Sequence, residues 1–331
     1  MAEPQAFSHF GPKRVYDEMI CGLTRTNAET HRIIKKYFSE SPLYMGRLDT
    51  EGPRYCPSID DKIMKFPEKD THPIFLEPIS SEGREVYVQN FSTSMCLEAQ
   101  FESIKTIKGC EHAHILRPGY AIEYDFVIPT QLNPWLETKP VKNLFLAGQI
   151  NGTSGYEEAA AQGLIAGVNA ALRVKGEEPF VLRRDEAYIG VLIDDLVTKG
   201  TGEPYRMLTS RCEYRLLLRH DNAAARLCGA GRRVGLLSDE KYGRFRAMAE
   251  AGEAEEIRLE GLKIPPTAEV NENWPRYPPR RLTRISAKNL LRRLEVLDLH
   301  RRPYRLELDP EYAEKIANEL KYEGYISRQQ R

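Results

Sequence analysis

The chain has 331 residues, 41% of them hydrophobic and 29% charged, with a mean hydropathy of −0.52, the composition of a globular protein long enough for two domains. Forty-eight Lys and Arg balance forty-eight Asp and Glu, so affinity for nucleic acid has to come from local patches, not from overall charge. No run of eighteen apolar residues and no basic, apolar leader is visible, which argues against a membrane span or a secretory signal; six cysteines (Cys21, Cys56, Cys96, Cys110, Cys212, Cys228) without C-x-x-C spacing argue against zinc and a disulfide scaffold and for a reducing cytoplasm.

Residues 1–136 mix short apolar runs with turn residues, as in HPIFLEPIS, REVYVQNFS and AIEYDFVIP, where Val86, Val88 and Phe91 mark strand-like alternation. This predicts a mixed α/β domain. Within it, Cys56 is bracketed by Pro53 and Pro57, with Arg54 two residues away. A guanidinium that close favours a thiolate, a good nucleophile toward an electrophilic carbon or the C6 of a uracil ring, while a lone cysteine also reads as a buried structural residue. His112 and His114, beside Glu111, lack a third ligand of fitting spacing and read as solvated or core histidines, so no metal is expected.

Pro129, Asn133, Pro134 and Pro140 punctuate the exit from that domain, and residues 137–173 follow as a unit of their own. There Leu144, Phe145 and Leu146 predict a buried strand, and Gly148, Gly152 and Gly155 a turn whose backbone can approach a ligand closely. Ser154 is the candidate cap of an alanine-rich helix with Glu157 and Glu158 in its first turn, and Gly163 and Gly167 predict close packing against a sheet. The amide groups and positive dipole end of such a helix favour an electron-rich ligand, either a phosphate or the N1/C2 carbonyl edge of a reduced isoalloxazine ring.

Residues 174–331 turn mainly helical. Ile189, Leu192, Ile193, Leu196 and Val197 recur at helical spacing, with Lys199 in the last turn and Gly200 as the C-cap candidate. Ser210 and Glu213 predict a capping box, and on the helix it would open, Arg211, Arg215 and Arg219 form one basic stripe, leaving Cys212 without a chemical role. The run Gly229-Ala-Gly231-Arg-Arg-Val234 follows no apolar strand and reads as a loop. Further helices open at Ser238, Ser286 and Asp309-Pro310, around an irregular proline-rich stretch ending near Pro279. Between Asn271 and Leu306 lie ten Lys or Arg against three acids, interleaved with Trp274, Tyr277 and Tyr304. Such a patch, which includes Arg280, Arg281 and Arg284, can track phosphates while its aromatics stack on splayed bases; it is equally the composition of a solvated helix face.

Three blocks, Asn143–Asn169, Gly52–Phe66 and Arg183–Leu227, together resemble signatures of the tRNA uridine 5-carboxymethylaminomethyl modification enzymes, the glucose-inhibited division protein A (GidA) or MnmG family, with the likeness running from about Thr24 to the KYEGYISRQQ stretch. The resemblance implies a partial Rossmann-like FAD/NAD(P)-binding α/β fold carrying the mixed α/β insertion and the helical region. It implies FAD held by Gly148, Gln149, Gly152, Thr153, Gly155, Tyr156 and Glu157, and NADH associated with Gly52, Arg54, Tyr55, Asp60 and Lys62. Methylenetetrahydrofolate would supply a one-carbon unit for an aminomethyl or carboxymethylaminomethyl group at C5 of the wobble uridine, with Cys56 attacking or repositioning the substrate. It also implies a homodimer, a GTPase partner subunit (MnmE), and tRNA contact through Arg211, Arg215, Arg219, Arg280, Arg281 and Arg284. The family's opening strand-GxGxxG, its second cysteine and its C-terminal helical extension have no counterpart, so the sequence also allows a truncated, non-catalytic tRNA-binding and dimerising fragment. A folate-using, flavin-dependent tRNA methyltransferase shares the general chemistry, but the arginine-rich third block argues against it.

Overall fold

The computed structural model describes residues 19–41, 58–120, 124–265, 285–292 and 310–329. They form two compact units, each discontinuous in sequence. The first draws on Met1–Gln131, Ala147–Ala160 and Gly200–Arg206, the second on Leu132–Leu146, Ala161–Lys199 and Met207–Arg331.

In the first unit a three-stranded antiparallel sheet has the order β1 (Gly22–Arg25), β2 (Pro73–Pro78), β3 (Val86–Gln89). Pairing of Gly22 with Leu76 and of Leu76 with Val88 puts Leu76 and Val88 on one face, where they and Ile74 meet the apolar sides of helices α1 (Ala28–Lys36), α2 (Ile59–Lys65) and α3 (Leu97–Ile104). Ile33, Ile34, Ile59, Ile63, Ala99 and Ile104 complete that core. Two of the three starts are specified locally: Asn27 and Thr30 cap α1 reciprocally, and Ser58 caps α2 by accepting from the Asp61 amide at 3.3 Å. The two strands expected from HPIFLEPIS and REVYVQNFS are β2 and β3. The third, AIEYDFVIP, forms no ladder among its described residues; Val127 N–H donates to Ile150 C=O at 2.7 Å, and Ile128 C=O accepts from Gln131 N–H at 3.0 Å in a local turn.

Helix α4 (Tyr156–Lys175) starts in the first unit and continues into the second. In the second unit the apolar run Leu144–Leu146 is not a buried strand: Leu144 is exposed, and Phe145 makes a single bridge, to Glu137. An apolar strand is sealed only with neighbours on both sides, and among the described residues it has one. Gly163 and Gly167 also depart from expectation. Both are exposed, and a Cβ at either would meet nothing within 4 Å, so close packing is not their reason. Instead Ile165, Ala166, Val168 and Leu172 are the buried apolar residues of α4, and Asn169 donates to Ile165 C=O and Phe180 C=O and accepts from the Phe180 amide, at 3.1, 2.8 and 2.6 Å, binding the returning chain to the helix.

Helix α5 (Tyr188–Asp194) runs into a π-helical turn, Asp195–Lys199, and Gly200 ends it at φ +70°, as the sequence predicted. Helices α6 (Ala223–Arg233) and α7 (Asp239–Gly261) follow, then α8 (Ala287–Leu291) and α9 (Pro310–Gln329). The glycine run 229–231 thus lies inside α6 and is no loop; with three arginines, a leucine and three alanines around it the segment keeps enough helix-forming residues to offset two glycines. Ser238 and Ser286 cap α7 and α8 as expected. Leu259, Ile264, Leu290, Leu291, Ile316 and Leu320 pack α7, α8 and α9 into a small helical core. The α/β class with a helical C-terminal region stands.

Candidate functional site

The glycine-rich turn is built by backbone geometry. Ala147 enters in extended conformation, Gly148–Asn151 makes one 3₁₀ turn, and Gly152 leaves in the left-handed region. Gly148 has φ +86° and Gly152 φ +81°, values that penalise any side chain. Space is short too: a Cβ on Gly152 would lie 2.7 Å from Thr201 Cγ2, so something would have to shift, and one on Gly148 would sit tightly at 3.3 Å from Ala159 Cβ. A returning segment then clamps the turn. Tyr205 donates its amide to Gly152 C=O at 2.9 Å and accepts from Ser154 N–H at 3.1 Å, with Thr153 and Tyr205 bridged in parallel.

Helix α4 opens at Tyr156, so the residue before it is Gly155 instead of the expected Ser154; Ala159 N–H donates to Gly155 C=O at 3.1 Å. Tyr156 is 84% exposed and Glu157 is exposed, which leaves the first turn open to solvent, while Glu158 folds inward and is 4% exposed. The room for its carboxylate is the room a Cβ on Gly155 would take. Arg206, carried in by the clamp, pairs with Glu158 at 3.4 Å and stands 4.0 Å from Glu157. The sequence reading missed Arg206 because a partner 48 residues beyond Glu158 leaves no local signal; only its place next to Tyr205, the clamp residue, gives it away.

Positive partial charge from the helix start and from Arg206 thus meets two carboxylates. A phosphate dianion brought against them would be repelled, whereas a neutral or singly reduced carbonyl edge can accept hydrogen bonds from the same donors. Of the two ligands the motif allows, an uncharged ring edge is opposed less by these carboxylates than a phosphate is.

The block Gly52–Phe66 divides differently. Gly52, Arg54, Tyr55 and Cys56 lie outside the described residues. Asp60 is sealed: its Oδ1 accepts from the Thr93 hydroxyl at 3.0 Å, its Oδ2 is buried without a partner, and burial raises its pKa. The carboxylate enclosed behind Thr93 braces α2 against the 90–95 loop. Lys62 is half-buried and donates to Asn90 C=O at 3.4 Å.

The arginine stripe is also corrected. Residues 209–211 form a single 3₁₀ turn and 213–218 a series of turns, so Arg211, Arg215 and Arg219 do not share a helix face. Tertiary bonds outcompete the local capping box: Glu213, expected to cap, is taken by Arg184, whose Nε and second guanidinium nitrogen donate to its two oxygens at 2.6 and 2.8 Å. Arg219 turns inward to Asp221 at 2.9 Å and over the Tyr322 ring, while Arg215 is exposed. Arg280, Arg281 and Arg284 lie outside the described residues.

Among the described thiols, Cys110, Cys212 and Cys228 are buried, Cys96 is half-buried and Cys21 is exposed; burial pushes the Cys96, Cys110 and Cys228 thiols up, away from reactivity. Among the described residues no three His, Cys, Asp or Glu side chains converge as a metal site requires, and no helix is long and apolar enough to cross a membrane.

Comparison with known proteins places these features. The family described as glucose inhibited division protein A matches residues 1–178, and the tRNA modifying enzyme MnmG/GidA C-terminal helical domain matches residues 239–330. The first match starts at residue 1, so the opening twenty residues, left outside the resemblance by their sequence, fall within it. The tRNA uridine 5-carboxymethylaminomethyl modification enzyme MnmG of Geobacillus kaustophilus is 54% identical over 98% of this chain and 52% of its own length, and that of Bacillus cereus (strain ATCC 14579) 51% over the same shares. Aquifex aeolicus GidA, in its form II crystal, superposes with a TM-score of 0.77 at 44% identity, over 94% of this chain and 48% of that one. The chain spans about half the length of the curated relatives it matches.

Proposed function

This chain belongs to the glucose-inhibited division protein A (MnmG) family, and on that premise we propose that it takes part in modifying the wobble uridine of tRNA with FAD as cofactor. The observation that carries the reading is the clamped turn Gly148–Gly155 at the open start of α4, with Arg206 beside it, whose donors suit a flavin ring edge. Backbone around Gly148, Gln149, Gly152, Thr153 and Gly155, with Tyr156 and Glu157 at the rim, would hold that edge. When bound, the flavin supplies the redox chemistry of one-carbon transfer. The contribution of the chain's own residues is to orient the ring through the Gly152–Tyr205 clamp and to keep Glu158 and Arg206 fixed against each other.

Cys56 is assigned the nucleophile, on the strength of Arg54 and the flanking prolines. NADH as reductant, methylenetetrahydrofolate as one-carbon donor, a GTPase partner, a homodimer and a cytoplasmic setting complete the reading and rest on family membership. Within the second unit the RNA-facing edge is the segment Arg211–Arg215, with Arg280, Arg281 and Arg284 as further phosphate contacts.

Purified chain mixed with FAD and then dialysed tests the flavin assignment. Absorbance in the flavin bands should be present before dialysis with a perturbed spectrum and lost on dialysis. An unperturbed spectrum would remove the flavin site, and stoichiometric yellow protein after dialysis would show that this chain grips the pyrophosphate as well.

A further inference from the structure

Arg184, just ahead of α5, gathers three carboxylates onto one guanidinium. Besides the two bonds to Glu213, it donates to Asp194 Oδ2 at 2.9 Å and Asp195 Oδ1 at 2.8 Å, and its remaining reach covers Arg211 C=O at 3.3 Å. Its side chain is 24% exposed, and Lys199 joins the same Asp195 at 2.7 Å. From the other side, α9 closes on the segment: Gln329 donates to Glu213 C=O, Asn318 to Asp221 at 3.3 Å, and the Tyr322 ring faces Arg219. Beyond the single 3₁₀ turn Thr209–Arg211 and the bonds from the Leu217 and Leu218 amides to Tyr214 C=O, the segment forms no regular helix or strand, and this cluster is what ties it to the elements around it. The guanidinium itself is fully engaged and its charge is matched by carboxylates, which leaves it poorly suited to a phosphate.

We propose that Arg184 is a positioning residue for RNA recognition, holding Glu213 and the Arg211 carbonyl so that the arginines on either side of Glu213 are presented in one fixed arrangement. This rests on the proposed RNA-facing role of the segment. It assigns RNA affinity to a residue that makes no RNA contact, through a bidentate geometry that lysine cannot reproduce.

The test measures binding of a labelled anticodon stem-loop RNA to the full chain by fluorescence anisotropy across a salt series. Arg184→Lys keeps the charge and should weaken binding roughly tenfold, the size of coupling usual in shared ion-pair networks, with the salt slope unchanged. Glu213→Gln gives the decisive sign. It makes the surface more positive, so simple electrostatics predicts tighter binding, whereas loss of positioning predicts weaker binding by a similar factor. If Arg184→Lys fails to fold, Glu213→Gln, on the exposed side of the pair, carries the test. Wild-type affinity in Arg184→Lys, or tighter binding in Glu213→Gln, overturns the proposal. The double variant Arg211→Ala/Arg215→Ala tests the underlying reading: unchanged binding there sinks the RNA-facing role itself and the proposal with it, while weakened binding there beside a wild-type-like Arg184→Lys sinks only the role of Arg184.

Discussion

The turn at Gly148–Gly155 and the segment at Arg211–Arg219 show two ways a motif becomes a site. In the turn, the glycines act through the backbone: two left-handed φ values set the path, and the closeness of Thr201 and Ala159 leaves little room for a side chain on it. In the segment, the arginines sit at a helical spacing, yet no helix forms, because Glu213 is captured by Arg184 from 29 residues away and Arg219 by Asp221. Backbone constraints are local and survive into the structure. Charge spacing is a pattern that any stronger distant partner can overrule.

The sharpest way to break this comparison is Gly152→Ala. Positive φ together with a 2.7 Å approach to Thr201 should cost about 2–3 kcal/mol, seen as a lower urea midpoint, because strain and overpacking add. A midpoint within a few tenths of a molar of wild type would mean that the turn is set by something other than its glycine. For charge, the triple variant Arg280→Ala/Arg281→Ala/Arg284→Ala should lower the slope of log K against log salt by roughly two units at about 0.7 per phosphate contact on single strands, and should do so equally for unrelated tRNAs. An unchanged slope and affinity would make that stretch a solvated surface and leave Arg211–Arg215 as the RNA-facing edge.

Asp60 offers a pH test between these extremes. Burial holds its carboxyl above the ordinary range, against hydrogen bonds from Ser58 and Thr93. As pH rises past the ordinary carboxylate range the unfolded chain ionises first, so stability falls until the folded carboxyl has also titrated, and the loss then persists. Asp60→Asn should therefore match wild type in acid and exceed it at neutral pH by about 1 kcal/mol, the usual scale for relieving one uncompensated buried polar group. Equal stability at both pH values would place Asp60 in a better-solvated setting than its enclosure implies. The smallest effect is expected at Gly163→Ala and Gly167→Ala, each a gain of roughly 0.5–1 kcal/mol, since both positions are open helix interior. Destabilisation there would restore the packing role that their spacing suggested.

Much of this molecule was legible in its residues. Serine and proline signals located the starts of α7, α8 and α9, Gly200 the end of the π-helical turn after α5, and the glycine order the turn at Gly148–Gly155. What stayed hidden has a common cause. Asn169 binding Phe180, Arg206 pairing with Glu158, and Arg184 binding Glu213 are tertiary bonds between residues whose types are ordinary in their local contexts. Leu144–Leu146 failed for the complementary reason: its hydrophobicity asks for neighbours on both sides, and a strand's burial is a property of those neighbours.

The central claim, that the turn and helix start recognise the ring edge of a flavin, is tested most directly by titrating the chain with FAD and with lumiflavin, which lacks the ribityl chain and pyrophosphate, and following flavin fluorescence. The account predicts weak quenching of both with affinities within about tenfold, or 1.4 kcal/mol, of each other, and a parallel loss for both in Gly152→Ala. FAD binding tighter than lumiflavin by several orders of magnitude, or quenching of neither, would contradict it.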